Sequence, residues 1–161
     1  MPKITAIYPG TFDPLTMGHV NLIERGLNCF DEIVVAIAQN TAKRTLFTEE
    51  ERLAHLHSVF GDNPRVRIDS FQGLLVHYAE RIEARAVLRG IRTVSDYEYE
   101  FQMALANKRL YAEMETVFMM TDAAYSYLSS TIIKEIARFG GSVEGMVPPA
   151  IVEHLTHKFK S

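Results

Sequence analysis

Short apolar runs alternate along the chain with longer segments in which apolar residues return every three or four positions. Ile4, Ala6 and Ile7 form the first run, with the β-branched content expected of a buried strand. Pro9-Gly10 ends it and Asp13-Pro14 makes a second tight bend, because proline fixes its φ and restricts the residue before it. Val20, Leu22, Ile23 and Leu27 then recur at helical spacing, so a helix is expected to begin near Gly18-His19. Residues 32–38 are almost continuously apolar, as in a parallel strand covered on both faces. After a polar loop at 39–47, Thr48 to Glu51 reads as a capping box opening a second helix whose inward face is Leu53, Leu56 and Phe60. A turn at 61–64 leads to a strand at 65–71, whose alternation places it nearer a sheet edge. Leu74, Leu75, Tyr78 and Ile82 mark a third helix, and residues 86–91 a fourth strand.

Ser95 with Glu98 reads as another capping box, opening a long helix to about residue 111. Its apolar residues form two stripes, Tyr97, Phe101 and Ala104 on one and Tyr99, Met103, Ala106 and Leu110 on the other, the pattern of a helix at a subunit interface. A fifth strand at 115–120 and a loop at 121–128 follow. Ser129-Ser130-Thr131 opens a helix carrying Ile132, Ile133, Ile136 and Ala137, which Gly140-Gly141 ends. Pro148 stands near the start of a last helix with Ile151, Val152 and Leu155 inward. Strand and helix thus alternate five times without repeats or linkers. Right-handed crossovers turn that pattern into one α/β domain over residues 1–161: a Rossmann-like, doubly wound, five-stranded parallel sheet of order 3-2-1-4-5, with helices on both faces and a C-terminal helix. Ligands bind such sheets where the winding reverses, at the carboxyl ends of strands 1 and 4.

Composition changes this picture little. At 161 residues, 47% hydrophobic and 23% charged, the chain is an ordinary globular domain. A net charge of −3 argues against a general nucleic-acid partner, so any phosphate site must be local. The single Cys29 rules out an internal disulfide, suits a reducing compartment, and is expected to be packed inside. With no N-terminal targeting pattern and no apolar run of membrane length, the chain reads as cytoplasmic with no membrane partner.

The chemistry concentrates in residues 8–21, Y-P-G-T-F-D-P-L-T-M-G-H-V-N, a strand, a glycine-containing loop and a helix start. That geometry turns unpaired N–H groups and a positive helix end toward the space above the strand, which favours a phosphate. His19 can add a hydrogen bond there, Thr11 a hydroxyl, and Gly18 room for close approach. Three further pieces leave the same sheet edge: Lys43 after strand 2; Arg89 and Arg92 at and beyond the end of strand 4; and Ser129-Ser130-Thr131 at a helix N-terminus. Taken singly, Lys43 and Arg44 are ordinary loop charges and the serine pair an ordinary cap. Arg89 interrupts an apolar strand, and a buried guanidinium needs an anion. The G-x-G-x-x-G fingerprint is absent, which removes the main support for dinucleotide redox chemistry. His55 and His57 do not share a helix face, and His154 with His157 lacks a third ligand, so no metal site is expected.

The strings Gly10-Thr11-Phe12-Asp13-Pro14 and Thr16-Met17-Gly18-His19 resemble the T/H-x-G-H signature of the nucleotidyltransferase superfamily. With Arg89-Gly90-Ile91-Arg92, Asp96-Tyr97-Glu98-Tyr99-Glu100 and Leu128-Ser129-Ser130-Thr131 followed by Lys134-Glu135, the chain resembles the bacterial phosphopantetheine adenylyltransferases along nearly its whole length. That resemblance implies transfer of AMP from ATP to 4′-phosphopantetheine. His19 would donate to the α-phosphate, and Thr11, Lys43 and Arg89 would complete the catalytic set. Thr11, Lys43, Leu75 and Arg89 would meet the acceptor. ATP would meet Thr11, Phe12, His19, Gly90, Ile91, Arg92, Glu100 and the run Tyr125, Ser126, Tyr127, Leu128, Ser129, Ser130, Thr131. Mg²⁺ would arrive with the nucleotide rather than in a protein cage, and the family is similar to homohexamers. Two alternatives stay open at this level: another adenylyl- or cytidylyltransferase of the superfamily, which usually carries histidine where Thr16 stands, and a non-catalytic nucleotide sensor.

Overall fold

In a computed structural model that describes residues 1–160, the chain forms β1 (Thr5–Gly10), α1 (Met17–Gly26), β2 (Glu32–Gln39), α2 (Glu49–Phe60), β3 (Val66–Gln72), α3 (Leu75–Arg81), β4 (Ala86–Ile91), α4 (Val94–Leu110), β5 (Glu115–Met120), α5 (Ser130–Arg138) and α6 (Pro149–Lys160). The strands are parallel in the order β3-β2-β1-β4-β5, as the alternation predicts. Successive residues of β2 face opposite ways. Ile33, Val35 and Ile37 join a core with α1, α2, α5 and α6, while Val34 and Ala36 join a second core with α3 and Met114. Two buried faces explain why residues 32–38 carry no polar alternation. Each fully buried Ile or Leu of these cores contributes about 1.5–3 kcal/mol of burial.

The centre of the sheet is built to open. β1 pairs with β2 over six positions, from Thr5↔Glu32 to Gly10↔Ile37. It pairs with β4 only at Ala6↔Ala86 and Ile7↔Val87. Beyond Ile7 the two strands part, which makes the crevice. Pro9-Gly10 does not end β1, as the sequence suggested. It continues the strand along β2, and Pro9 has no N–H that β4 would have to satisfy.

Several local expectations shift. α1 starts at Met17 with Thr16 as its cap, slightly before Gly18-His19. The Thr48–Glu51 capping box is present in both directions. α4 is capped by Thr93, whose hydroxyl accepts from Asp96 N–H, not by Ser95. Ser95 falls inside the helix, where the capping geometry is no longer available. Of the residues that mark the third helix, Leu74 and Ile82 stand just outside α3 as its two caps, with Leu74 exposed. Cys29 is exposed rather than packed, because it stands in the turn between α1 and β2 while Phe30 takes the inward place. Along α4 only Glu100 is buried, and Tyr97, Tyr99, Phe101, Met103 and Leu110 are exposed on the isolated chain.

Candidate active site

The crevice between β1 and β4 widens into a cavity of about 580 Å³. Its wall includes residues of the β1 loop, the start of α1, the loop after β2, the end of β4, and the turn into α5. Four separate stretches of sequence are thereby brought to one place, at the switch point of the sheet.

His19 is the third residue of α1. Its N–H donates to Thr16 Oγ1 at 3.2 Å, and its Nδ1 accepts from the Thr16 N–H at 3.0 Å. A histidine therefore fills the reciprocal place of a capping box more often held by Glu or Gln. An accepting Nδ1 carries no proton, so in the neutral ring the proton sits on Nε2. Burial first, and then the positive charges of Arg92 and Arg89, push the His19 imidazolium down to about 4. At neutral pH the side chain is an uncharged N–H donor. The ring packs edge-on to Phe12, with centroids 5.0 Å apart.

Phe12 holds a left-handed backbone, φ 51, unusual for an aromatic residue. The conformation is enforced from both sides. Arg52 of α2 donates to Thr11 C=O at 2.8 Å, and the buried Asp13 carboxylate accepts from the Leu46 and Phe47 N–H groups, each at 2.9 Å. A Cβ on Gly10 would meet the Phe12 ring at 3.0 Å, so glycine there is what lets the ring fold back beneath the histidine.

Arg89 finds its anion, and it is Glu100. The guanidinium makes a two-point pair, Nε to Oε2 at 2.8 Å and Nη2 to Oε1 at 2.6 Å, while Nη1 donates to Pro9 C=O at 2.9 Å. The last contact supplies the carbonyl that the parted strands leave without a ladder partner. Arg92 donates to Leu128 C=O at 2.8 Å and pairs with Asp96, tying the end of β4 to the turn before α5. At that turn Ser129 Oγ accepts from Ile132 N–H as the cap of α5, and Ser130 Oγ donates to Pro14 C=O at 2.8 Å. Both hydroxyls thus have protein partners, and with Ile132 N–H taken by the cap, what the helix end offers is the N–H groups of Ser130 and Thr131.

The cavity wall includes Thr11, Phe12, His19, Lys43, Arg89, Gly90, Arg92, Glu100, Tyr125, Leu128, Ser129, Ser130 and Thr131. Ile91, Ser126 and Tyr127 lie outside it. Leu75 lines instead an adjoining hollow of about 160 Å³ with Val87, Tyr99 and Met103, joined to the cavity at Pro9, Arg89 and Glu100. Cavity residues that sequence reasoning names but gives no place in the site include Tyr8, Asp13, Arg44 and Lys134. Lys134 had a signal: it stands four residues after Ser130 on the same helix, hence on the same face. Asp13 had none, since its partners are 33, 34 and 121 positions away.

Five cations line the cavity, Lys43, Arg44, Arg89, Arg92 and Lys134, against the carboxylates Asp13, Asp96 and Glu100. Each carboxylate is already paired, with Lys134, Arg92 and Arg89 respectively. Lys43 and Arg44 form no ion pair among the described residues, so the excess positive charge is concentrated on one exposed loop. The local field is positive although the chain carries −3 overall. No group of three or more His, Cys, Asp or Glu side chains converges anywhere among the described residues. The histidines do pair, but not as sequence neighbours: His55 Nε2 lies 2.8 Å from His154 Nδ1, both packed on Phe47. No helix among the described residues is long and apolar enough to cross a membrane.

Comparison with known proteins bears on this geometry. The family model described as Cytidylyltransferase-like matches residues 7–136. The phosphopantetheine adenylyltransferase of Dictyoglomus turgidum is 52% identical over 157 residues, 98% of either chain. That of Caldanaerobacter subterraneus subsp. tengcongensis is 53% identical over 155 residues, 96% of this chain and 97% of its own. That of Geotalea daltonii is 50% identical over 159 residues, 99% of each. Among solved structures, a putative nicotinate-nucleotide adenylyltransferase from Vibrio parahaemolyticus superposes with a TM-score of 0.69 at 18% identity, over 96% of this chain and 99% of that one, a likeness of fold. At half identity over nearly its full length, the chain belongs to the phosphopantetheine adenylyltransferases of the cytidylyltransferase-like family.

Proposed function

We propose that the chain transfers AMP from ATP to 4′-phosphopantetheine, giving dephospho-coenzyme A and pyrophosphate. The observation that carries the reading is His19, a neutral ring with its proton on Nε2, at a helix N-terminus in a cavity with excess positive charge. Such a group stabilises negative charge developing on a phosphoryl oxygen without having to lose a proton.

The acceptor phosphate is itself the nucleophile and is largely ionised at neutral pH, with a second pKa of about 6. No general base is needed. One acceptor oxygen forms a bond to Pα, the Pα–O bond to the β-phosphate breaks, and pyrophosphate leaves with the bonding electrons. Catalysis then reduces to alignment and charge stabilisation. His19 Nε2–H donates to the α-phosphate. Thr11 and Lys43 hold the incoming phosphate, and the hollow beside Leu75 and Arg89 takes the pantetheine arm. Gly90, Arg92, Glu100 and the 125–131 turn hold ATP, with the first-turn N–H groups of α5 on its β,γ end.

Mg²⁺ enters with the nucleotide in this reading. All three cavity carboxylates are engaged by cations, which leaves the ion's ligands to come from phosphate and water. The reading also places the chain in the cytoplasm, where ATP is supplied, and in a homohexamer. The apolar, exposed face of α4 supports an assembly that covers it. Light scattering coupled to size exclusion would give a mass near six times 18.3 kDa; a monomeric mass would contradict the assembly.

The test of the function is pyrophosphate release from MgATP with 4′-phosphopantetheine and nicotinamide mononucleotide as parallel acceptors. Release with the first alone supports the reading. Release with the second alone keeps the chemistry and replaces the substrate.

A further inference from the structure

Asp13 is only 3% exposed, yet it is charged and stands at the edge of a cavity suited to anions. A carboxylate removed from water needs donors, and its two oxygens have three. Oδ1 accepts from Phe47 N–H, while Oδ2 accepts from Leu46 N–H and from the Lys134 ammonium at 3.0 Å. Two of these donors are main chain at the end of the loop that carries Lys43 and Arg44. The start of that loop is tied only to itself, through Ala42 N–H to Asn40 Oδ1 and Lys43 N–H to Asn40 C=O. Arg52 bridges Thr48 C=O to Thr11 C=O and Phe47 packs in the core that holds Phe12 and Leu15, but Asp13 is the side chain of the β1 loop that takes the Leu46 and Phe47 N–H groups.

We infer that Asp13 is a positioning residue, which fixes the Lys43 loop against the Thr11 loop and α5 and so sets where the Lys43 ammonium meets the incoming phosphate. The task given to Lys43 rests on the adenylyl-transfer reading above; the tether does not. Asp13 touches no reacting atom. Its negative charge is taken up by the three donors, which leaves the Lys43 and Arg44 charges to face the ligand.

Asp13→Asn tests this, because it keeps the size but leaves one acceptor oxygen for two N–H groups. In the ligand-free protein, amide exchange over residues 44–48 should quicken at least about ten-fold while residues 33–37 of β2 stay unchanged. Unchanged exchange at 44–48 overturns the tether. In kinetics, Asp13→Asn should lower kcat/KM for 4′-phosphopantetheine about ten-fold or more in the wild-type background, and less than about two-fold in Lys43→Ala. Equal losses in both backgrounds overturn the positioning role. If Asp13→Asn alone does not fold because Lys134 has lost its anion, Asp13→Asn with Lys134→Met removes both charges and the same exchange result is expected. Failure of the wild-type protein to use this acceptor would strike the adenylyl-transfer reading, and the exchange result would still decide the tether.

Discussion

Thr16 and His19 exchange two hydrogen bonds across the first turn of α1, hydroxyl from main chain and main chain to imidazole. The cap of the helix and the tautomer of the histidine are therefore one arrangement. Backbone geometry holds Nδ1, and Nε2–H is left to face the cavity.

Removing the imidazole should cost rate rather than ATP binding. His19→Ala is expected to lower kcat by about 10²–10³, the range for losing one preorganised donor to a developing oxyanion. Pyrophosphate release and nucleotide titration measure the two quantities separately. An unchanged kcat would remove His19 from the chemistry.

The His19 proton can be followed directly. Its ring resonances should titrate near pH 4, and rate changes between pH 6 and 8 should trace to the acceptor phosphate and persist when His19 is absent. Burial holds both His19 and His55 below the ordinary value of about 6.5, so between the two values the unfolded chain binds more protons than the folded one. Stability should therefore be complete above pH 6.5 and fall as pH is lowered toward 4. Melting temperatures across that window test the sign, and a rise on acidification would contradict it.

The cap itself should be separable from the ring. Thr16→Ala removes the hydroxyl that accepts from His19 N–H but keeps the main-chain donor to Nδ1. A loss of about 1 kcal/mol is expected, with Thr16→Ser near wild type. Urea unfolding distinguishes them.

Arg89 and Glu100 should behave as a unit. Arg89→Met leaves a carboxylate that is 8% exposed without its counter-ion, with an expected loss of about 3–5 kcal/mol. Arg89→Met with Glu100→Gln should be less destabilised than the single Arg89→Met. If the two changes simply add, the pair is not coupled as its geometry requires.

Lys43 should show the opposite balance. It is exposed and has no ion pair among the described residues, so Lys43→Ala should leave the melting temperature unchanged. The KM for 4′-phosphopantetheine should rise about ten-fold for loss of a charge-assisted contact. A large stability loss would mean that the loop uses Lys43 structurally.

Much of the fold was legible because it is written locally. The unbroken apolar run of β2, the Thr48–Glu51 box and the Ser129 cap each involve neighbours within a few positions. Strand order followed from alternation and handedness. What escaped depends on partners distant in sequence or on three-dimensional crowding. Arg89 announced that it needed an anion, but not that Glu100 would reach back from the next helix. Asp13 gave no sign of Leu46, Phe47 or Lys134, and His55 none of His154. Pro9 reads as a stop until the strands are seen to part beside it. Thr93 and Ser95 are equally good caps by composition, and only the path of the chain out of β4 chooses between them.

The central claim is adenylyl transfer with His19 as an uncharged donor to the α-phosphate. Phosphorus NMR of MgATP with 4′-phosphopantetheine tests it most directly. The wild-type protein should convert them into equal amounts of pyrophosphate and a new diphosphate diester, and His19→Ala should bind ATP but form both about 10²–10³ times more slowly. Formation of ADP instead, or of AMP and pyrophosphate with the acceptor untouched, would contradict the account.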